Sequence, residues 1–102
     1  MQKSVYLKNK GKNKMKTVLL YTLNYCPYCK KAIEFFTEKK IPFENIDVTY
    51  DEEEMTARIK DMFDIENEVT FPQIIIGHQN IGGYSDLIKL ERRGQLVNLL
   101  ED

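Results

Sequence analysis

"YTLNYCPYCKKAIEFF" (residues 21–36) contains both cysteines of the chain, Cys26 and Cys29, with only Pro27 and Tyr28 between them. The pair stands where an apolar run gives way to a basic amphipathic one. On the upstream side, "KTVLLYTL" (16–23) is rich in branched and aromatic apolar residues and short enough for a buried strand. On the downstream side, Tyr28, Ala32, Ile33, Phe35 and Phe36 fall largely on one helical face, with Lys30, Lys31, Glu34 and Glu38 mostly on the other. Pro27 suits the first turn of that helix, where its missing N–H costs nothing. The helix should stop near "EKKIP" (38–42), because the residue before Pro42 disfavours helical backbone.

The same patterning extends to the rest of the chain. "FENIDV" (43–48) alternates Phe43, Ile46 and Val48 imperfectly with polar neighbours and reads as a second strand. "DEEEMTARIKDMF" (51–63) places its acids first and its bases later, the order a helix dipole favours, with Met55, Ile59, Met62 and Phe63 as the apolar face. "PQIIIG" (72–77) is a third strand and "QNIGG" (79–83) a short fourth. The turn between them is expected at "HQN" (78–80), favoured by Gly77 and Asn80. Ser85 is expected to cap a helix running through Leu87, Ile88 and Leu90, and Gly94 separates it from a last turn or two, "QLVNLLE" (95–101). The order is β-α-β-α-β-β-α, an α/β arrangement with a right-handed βαβ unit in front and a hairpin behind.

A chain of 102 residues with 42% hydrophobic and 30% charged residues fits one globular domain. Its formal net charge of −1 is unevenly spread: residues 1–16 hold six lysines and no acid, against nine basic and sixteen acidic groups beyond. A basic tail on an acidic body is compatible with nucleic acid or anionic membranes. However, an isolated Lys/Asn/Gly run has too little apolar content to pack. Residues 1–15 therefore read as a basic, disordered extension or a segment ahead of a natural start at Met15. The domain proper occupies 16–102, and neither nucleic acid nor membrane is expected as a partner. The longest apolar stretch is far short of the roughly 18 residues of a membrane span, and no signal-peptide pattern fits, so we expect a cytoplasmic protein.

Two thiols with only two residues between them restrain almost nothing in an unfolded chain, so the pair is there for chemistry rather than stapling. A thiol at a helix start faces unpaired backbone N–H groups and the positive end of the dipole, which stabilise a thiolate, the nucleophilic form. Cys26 occupies that place, with the positive field of Lys30 and Lys31 nearby. Cys29, one helical turn later and expected to be buried, is close enough to attack a mixed disulfide on Cys26. Half a zinc site is the competing use of two cysteines. A closed site wants four ligands, and only His78, far along the chain, could join them. We expect no metal, and we expect His78 to be a surface residue.

"CPYC" after a strand, followed in order by "TFPQIIIG" (70–77) and "IGGYSDL" (81–87), resembles the dithiol glutaredoxins over about residues 16–101. The resemblance implies the thioredoxin fold: a four-stranded mixed sheet flanked by helices. By spacing alone Pro72 is an ordinary proline opening an edge strand. The resemblance implies instead a cis Phe71–Pro72 bond that presents the Phe71 backbone beside Cys26, where a cysteinyl backbone can pair with it. It assigns glutathione binding to Tyr28, Thr70, Phe71, Pro72, Gly83, Tyr84, Ser85 and Asp86. Within that set, the helix start at Ser85 and Asp86 would take the α-carboxylate and α-amino group of the γ-glutamyl residue. Read without it, Ser85 and Asp86 are a helix cap after a glycine turn.

By the same resemblance, the chain is expected to be a glutathione-dependent thiol-disulfide oxidoreductase acting as a monomer on disulfide-containing or glutathionylated proteins. Glutathione is then a co-substrate and no bound cofactor is needed, because sulfur carries both electrons. Two rivals stay open on sequence alone: a thioredoxin-like donor reduced by a flavoprotein, and a carrier dimer bridging a [2Fe–2S] cluster. The chain also departs from the family pattern. Leu23 stands three residues before Cys26, where many members have a lysine or arginine for the glycyl carboxylate of glutathione. The contact is then either missing or made elsewhere, with Arg58 and Lys60 as the candidates to supply it, and a lysine put at 23 is expected to lower the Michaelis constant modestly. Tyr84 stands where many relatives have cysteine.

Overall fold

The computed structural model describes residues 15–101. The expectation of a disordered extension therefore lies, apart from Met15, outside the described residues. Four strands form one sheet in the order β2-β1-β3-β4: β1 (Val18–Thr22), β2 (Glu44–Asp47), β3 (Gln73–Ile76) and β4 (Gln79–Gly82). The β1–β2 pair is parallel, while β1–β3 and β3–β4 are antiparallel. The helices are α1 (Pro27–Glu38), α2 (Glu52–Met62), α3 (Tyr84–Arg92) and α4 (Leu96–Leu100). This is the mixed-sheet arrangement anticipated from the sequence.

Strand alternation divides the core in two. Val18, Leu20, Ile74 and Ile76 point to one face, where Ala32 and Phe36 of α1, Leu87 of α3 and Leu96 and Leu100 of α4 cover them. Tyr21, Leu23 and Ile75 point to the other, against Val48 and Ile59, with Met55 and Phe63 packed alongside. Both faces of β1 are thus buried, which is why its sequence is continuously apolar rather than alternating. Met15 sits against the first cluster and forms an isolated bridge with Glu101, while the Lys16 amide donates to the Leu100 carbonyl at 2.8 Å.

Two local expectations are corrected, and one short element is added. The β3–β4 turn is made by Gly77 and His78, with Gly77 at φ +65, and Gln79 and Asn80 already belong to β4. A left-handed backbone at that point suits glycine and lets the strands turn one residue earlier. A short 3₁₀ segment, Thr49–Asp51, precedes α2. The N-cap of α3 is Gly83 rather than Ser85: its backbone is extended, and its N–H donates to Asp86 Oδ2 at 2.9 Å. Ser85 lies inside the first turn, two residues past the cap.

Candidate functional site

β1 ends at Thr22, and the chain makes a tight junction into α1. The Cys26 N–H donates to the Leu23 carbonyl at 3.2 Å, which closes that turn. Cys26 is the N-cap of α1, in extended backbone conformation, and its Sγ accepts the Cys29 N–H at 3.2 Å. The Cys26 sulfur therefore takes a position that a Ser or Asp oxygen fills in an ordinary helix cap. Cys26 is partly exposed, Cys29 is 1% exposed, and both are free thiols. Burial pushes the Cys29 thiol up to about 12, with the neighbouring Cys26 sulfur adding to the rise. One thiol is accessible and capped, and its neighbour is held protonated beneath it.

The loop before Cys26 is tied to the start of α2. The Asn24 N–H donates to Thr49 Oγ1 at 2.8 Å, and Thr49 is itself bonded to Asp47. The Tyr25 hydroxyl donates to Glu52 Oε1 at 2.5 Å, an interaction that raises the phenol above its ordinary range and keeps it a donor. Nothing in the sequence signalled this tether, because it joins residues in separate elements.

The other two motifs converge on the same place. The Phe71–Pro72 bond is cis, and the Cys26 thiol donates to the Phe71 carbonyl at 3.5 Å. A Cβ built on Gly83 would lie 3.5 Å from the Pro72 carbonyl, so the glycine turn sits directly against the 70–72 loop. Tyr84, at the first turn of α3, faces Tyr28 of α1 with ring centroids 6.0 Å apart. The Lys31 ammonium lies 5.2 Å from the Tyr28 ring and 6.0 Å from that of Tyr84. Contacts thus run from Cys26 to Phe71, from Pro72 to Gly83, and from Tyr84 back to Tyr28.

Individual assignments fare differently. Thr70, Ser85 and Asp86 are exposed at this convergence, whereas the Pro72 ring is fully buried and helps hold the loop from beneath. Lys30 is exposed and meets Cys26 through its backbone, N–H to carbonyl at 3.2 Å. Leu23 is 7% exposed and packs in the second core cluster. It is a core position. Arg58 pairs with Glu54 at 3.0 Å, and Lys60 donates to the Asn67 carbonyl at 3.1 Å. His78 is exposed in its turn.

Sequence reasoning missed Gln73. It is 6% exposed in a strand otherwise made of isoleucines, and its side chain bonds to both Thr70 and Asn80. The visible signal was a polar residue opening a continuous apolar run.

Comparison with known proteins finds matches in sequence and in fold. The family model described as Glutaredoxin matches residues 18–81. Glutaredoxin 1 of Rickettsia typhi is 40% identical over 92 residues, covering 89% of this chain and 86% of the relative. The solution structure of glutaredoxin from Brucella melitensis superposes with a TM-score of 0.72 at 36% identity, covering 89% of this chain and 95% of the other. The buckwheat glutaredoxin-glutathione complex has the same fold, with a TM-score of 0.72 at 24% identity, covering 81% and 74% of the two chains.

Proposed function

The chain belongs to the glutaredoxin family, and from that membership we propose that its thiol-disulfide exchange runs through Cys26 as nucleophile and Cys29 as resolving thiol. Its activity is that of a glutathione-dependent thiol-disulfide oxidoreductase. The observation that carries the division of labour is the position of the two sulfurs. Cys26 Sγ caps α1 at 3.2 Å from the Cys29 amide and is partly exposed, while the Cys29 thiol is buried and held protonated.

In the first step the Cys26 thiolate attacks the glutathione sulfur of a glutathionylated protein, and the protein thiolate leaves with a proton from solvent. The mixed disulfide on Cys26 is neutral, so the charge that helped hold Cys29 protonated is gone. Either a glutathione thiolate then attacks the glutathione sulfur of the mixed disulfide, releasing glutathione disulfide and the Cys26 thiolate, or Cys29 loses its proton and closes the Cys26–Cys29 disulfide, releasing glutathione. Two further glutathione molecules reduce that disulfide and leave as glutathione disulfide. For a protein disulfide, the Cys26 mixed disulfide is with the protein, and Cys29 releases it.

The glutathione moiety is assigned to a cradle of the Phe71 backbone, the Tyr28 and Tyr84 rings, and the α3 start at Gly83, Ser85 and Asp86. Support comes from the contacts that join Cys26 to Phe71, Pro72 to Gly83 and Tyr84 to Tyr28, and from the first turn of α3, where Ser85 is exposed and a helix start suits a carboxylate. Both thiols and the whole cradle come from one chain, which supports action as a monomer. A cytoplasmic setting follows from the need for a reducing glutathione pool, and recovery in a membrane fraction would refute it. The test of the function is reduction of a glutathionylated peptide with glutathione and glutathione reductase. Turnover that stops without glutathione is expected, and turnover sustained by a flavoprotein reductase alone would overturn the reading.

A further inference from the structure

We propose that Gln73 is a positioning residue, and that with Asn80 it holds the two halves of the glutathione cradle in fixed register. The inference rests on the cradle assignment above. The 70–72 loop belongs to no strand, yet it must keep the Phe71 carbonyl 3.5 Å from Cys26 Sγ. Its support comes from a side chain. Gln73 Nε2 donates to the Thr70 carbonyl at 2.6 Å. Gln73 Oε1 accepts from Asn80 Nδ2 at 2.8 Å, and Asn80 Oδ1 accepts the Gly82 N–H at 2.7 Å.

The polarity of this chain is set at both ends. A carbonyl at Thr70 can only accept and an N–H at Gly82 can only donate, so the two amides between them have one consistent orientation. The β3–β4 register shifts between Ile74 and Ile75, where Gly82 and Asn80 become the paired residues. At that irregularity the Gly82 N–H is taken by the Asn80 side chain. The next residue, Gly83, opens α3 and donates to Asp86. A line of hydrogen bonds therefore runs from the loop beside Cys26 to Gly82, and one peptide bond joins it to the helix start at Gly83 that is assigned the γ-glutamyl carboxylate. Gln73 is 6% exposed, so neither of its bonds can be replaced by bulk water without opening the site. An apolar residue would suit the core better here, and the amide instead ties the loop to the turn.

Two substitutions cut the line at different points. Gln73→Met keeps shape and burial but removes both bonds. Asn80→Asp keeps the acceptor for Gly82 but turns the donor toward Gln73 into oxygen. Rotation of the Gln73 amide cannot repair it, because that would set oxygen against oxygen at Thr70. Steady-state kinetics on a glutathionylated peptide should show the Michaelis constant raised about five-fold in each variant, the equivalent of one net hydrogen bond. The rate of Cys26 alkylation by iodoacetamide, which needs no cradle, should stay within about two-fold of wild type. Combining the two substitutions should add little, since both break one network.

The variant Ser85→Ala/Asp86→Asn separates this inference from the one beneath it. If that variant raises the Michaelis constant while Gln73→Met and Asn80→Asp do not, the positioning role is refuted and the cradle stands. If all three behave like wild type, the cradle is misplaced and the inference falls with it. A parallel loss of alkylation rate would mark Gln73 as generally structural, which also overturns the proposal. Should Gln73→Met fail to fold, the half-buried Asn80→Asp decides the matter alone.

Discussion

The Cys29 amide donates to Cys26 Sγ at 3.2 Å, so the residue proposed as the resolving thiol also supplies a backbone donor to the proposed nucleophile. The two contributions separate on mutation, because a side-chain change leaves the amide in place. Cys29→Ser should keep reduction of glutathionylated peptide within about two-fold of wild type, since the helix-start donor persists. Reduction of a protein disulfide, which needs the second sulfur, should fall by more than about tenfold. Cys26→Ser should abolish both. Activity surviving in Cys26→Ser and lost in Cys29→Ser would reverse the assignment.

The raised Cys29 thiol has a consequence for stability in alkali. Its folded-state value of about 12 lies above that of an unfolded thiol. Between the two, the unfolded chain has released a proton that the folded chain still holds, so stability falls as pH rises. The contribution is intact below about pH 8.5 and declines above it, by at most about 1.4 kcal/mol per pH unit. The readout is the difference between wild type and Cys29→Ser, which isolates this one thiol. Urea unfolding at intervals from pH 8 to 10.5 should show wild type losing ground to the variant. Parallel curves would mean that burial does not hold the thiol protonated.

Gly82 and Gly94 both have left-handed backbones, at φ +105 and +67, but their surroundings differ. A Cβ at Gly94 meets open space, whereas one at Gly82 would run into the Asp86 carboxylate. Gly94→Ala should cost about 1–2 kcal/mol from backbone strain alone. Gly82→Ala carries strain and also displaces the group that caps α3, which adds about 1 kcal/mol. It should also raise the Michaelis constant for a glutathionylated substrate, because the α3 start is deformed. Melting curves and kinetics on the pair test this. Equal destabilisation with unchanged kinetics would mean that Asp86 moves aside freely.

Which of these features the sequence reveals depends on how local their causes are. The strand, the proline-led helix and the capped thiol lie within 21 consecutive residues, 18–38, and their periodicity and punctuation are visible there. The α3 cap is nearly as local, yet Ser85 was a misleading signal. The cap goes to whichever residue is extended when the helix begins, and Asp86 reaching back selects Gly83. The bonds from Gln73 to Thr70 and Asn80 depend on a shift in strand register, which composition does not encode. Leu23 follows a strand buried on both faces, and only the packing against Ile59 of α2 shows that its side chain is buried.

That burial reverses what the family pattern led us to expect at position 23. Leu23 is 7% exposed and packs with Tyr21, Val48, Ile59 and Ile75. A lysine there must either bury its ammonium or pull its stem outward along the loop, and in both cases the apolar contact is lost. Burying a leucine side chain is worth about 1.5–3 kcal/mol, while an exposed ion pair to a glycyl carboxylate returns at most about 1 kcal/mol. Stability therefore outweighs any new contact. Leu23→Lys should lower the melting temperature by on the order of ten degrees and should not improve the Michaelis constant. Leu23→Met, which conserves volume, should cost less than about 1.5 kcal/mol and leave catalysis intact. Calorimetry and steady-state kinetics on both variants decide it. A Leu23→Lys protein that melts like wild type and binds the glutathionylated substrate more tightly would show that position 23 opens onto the glutathione site after all.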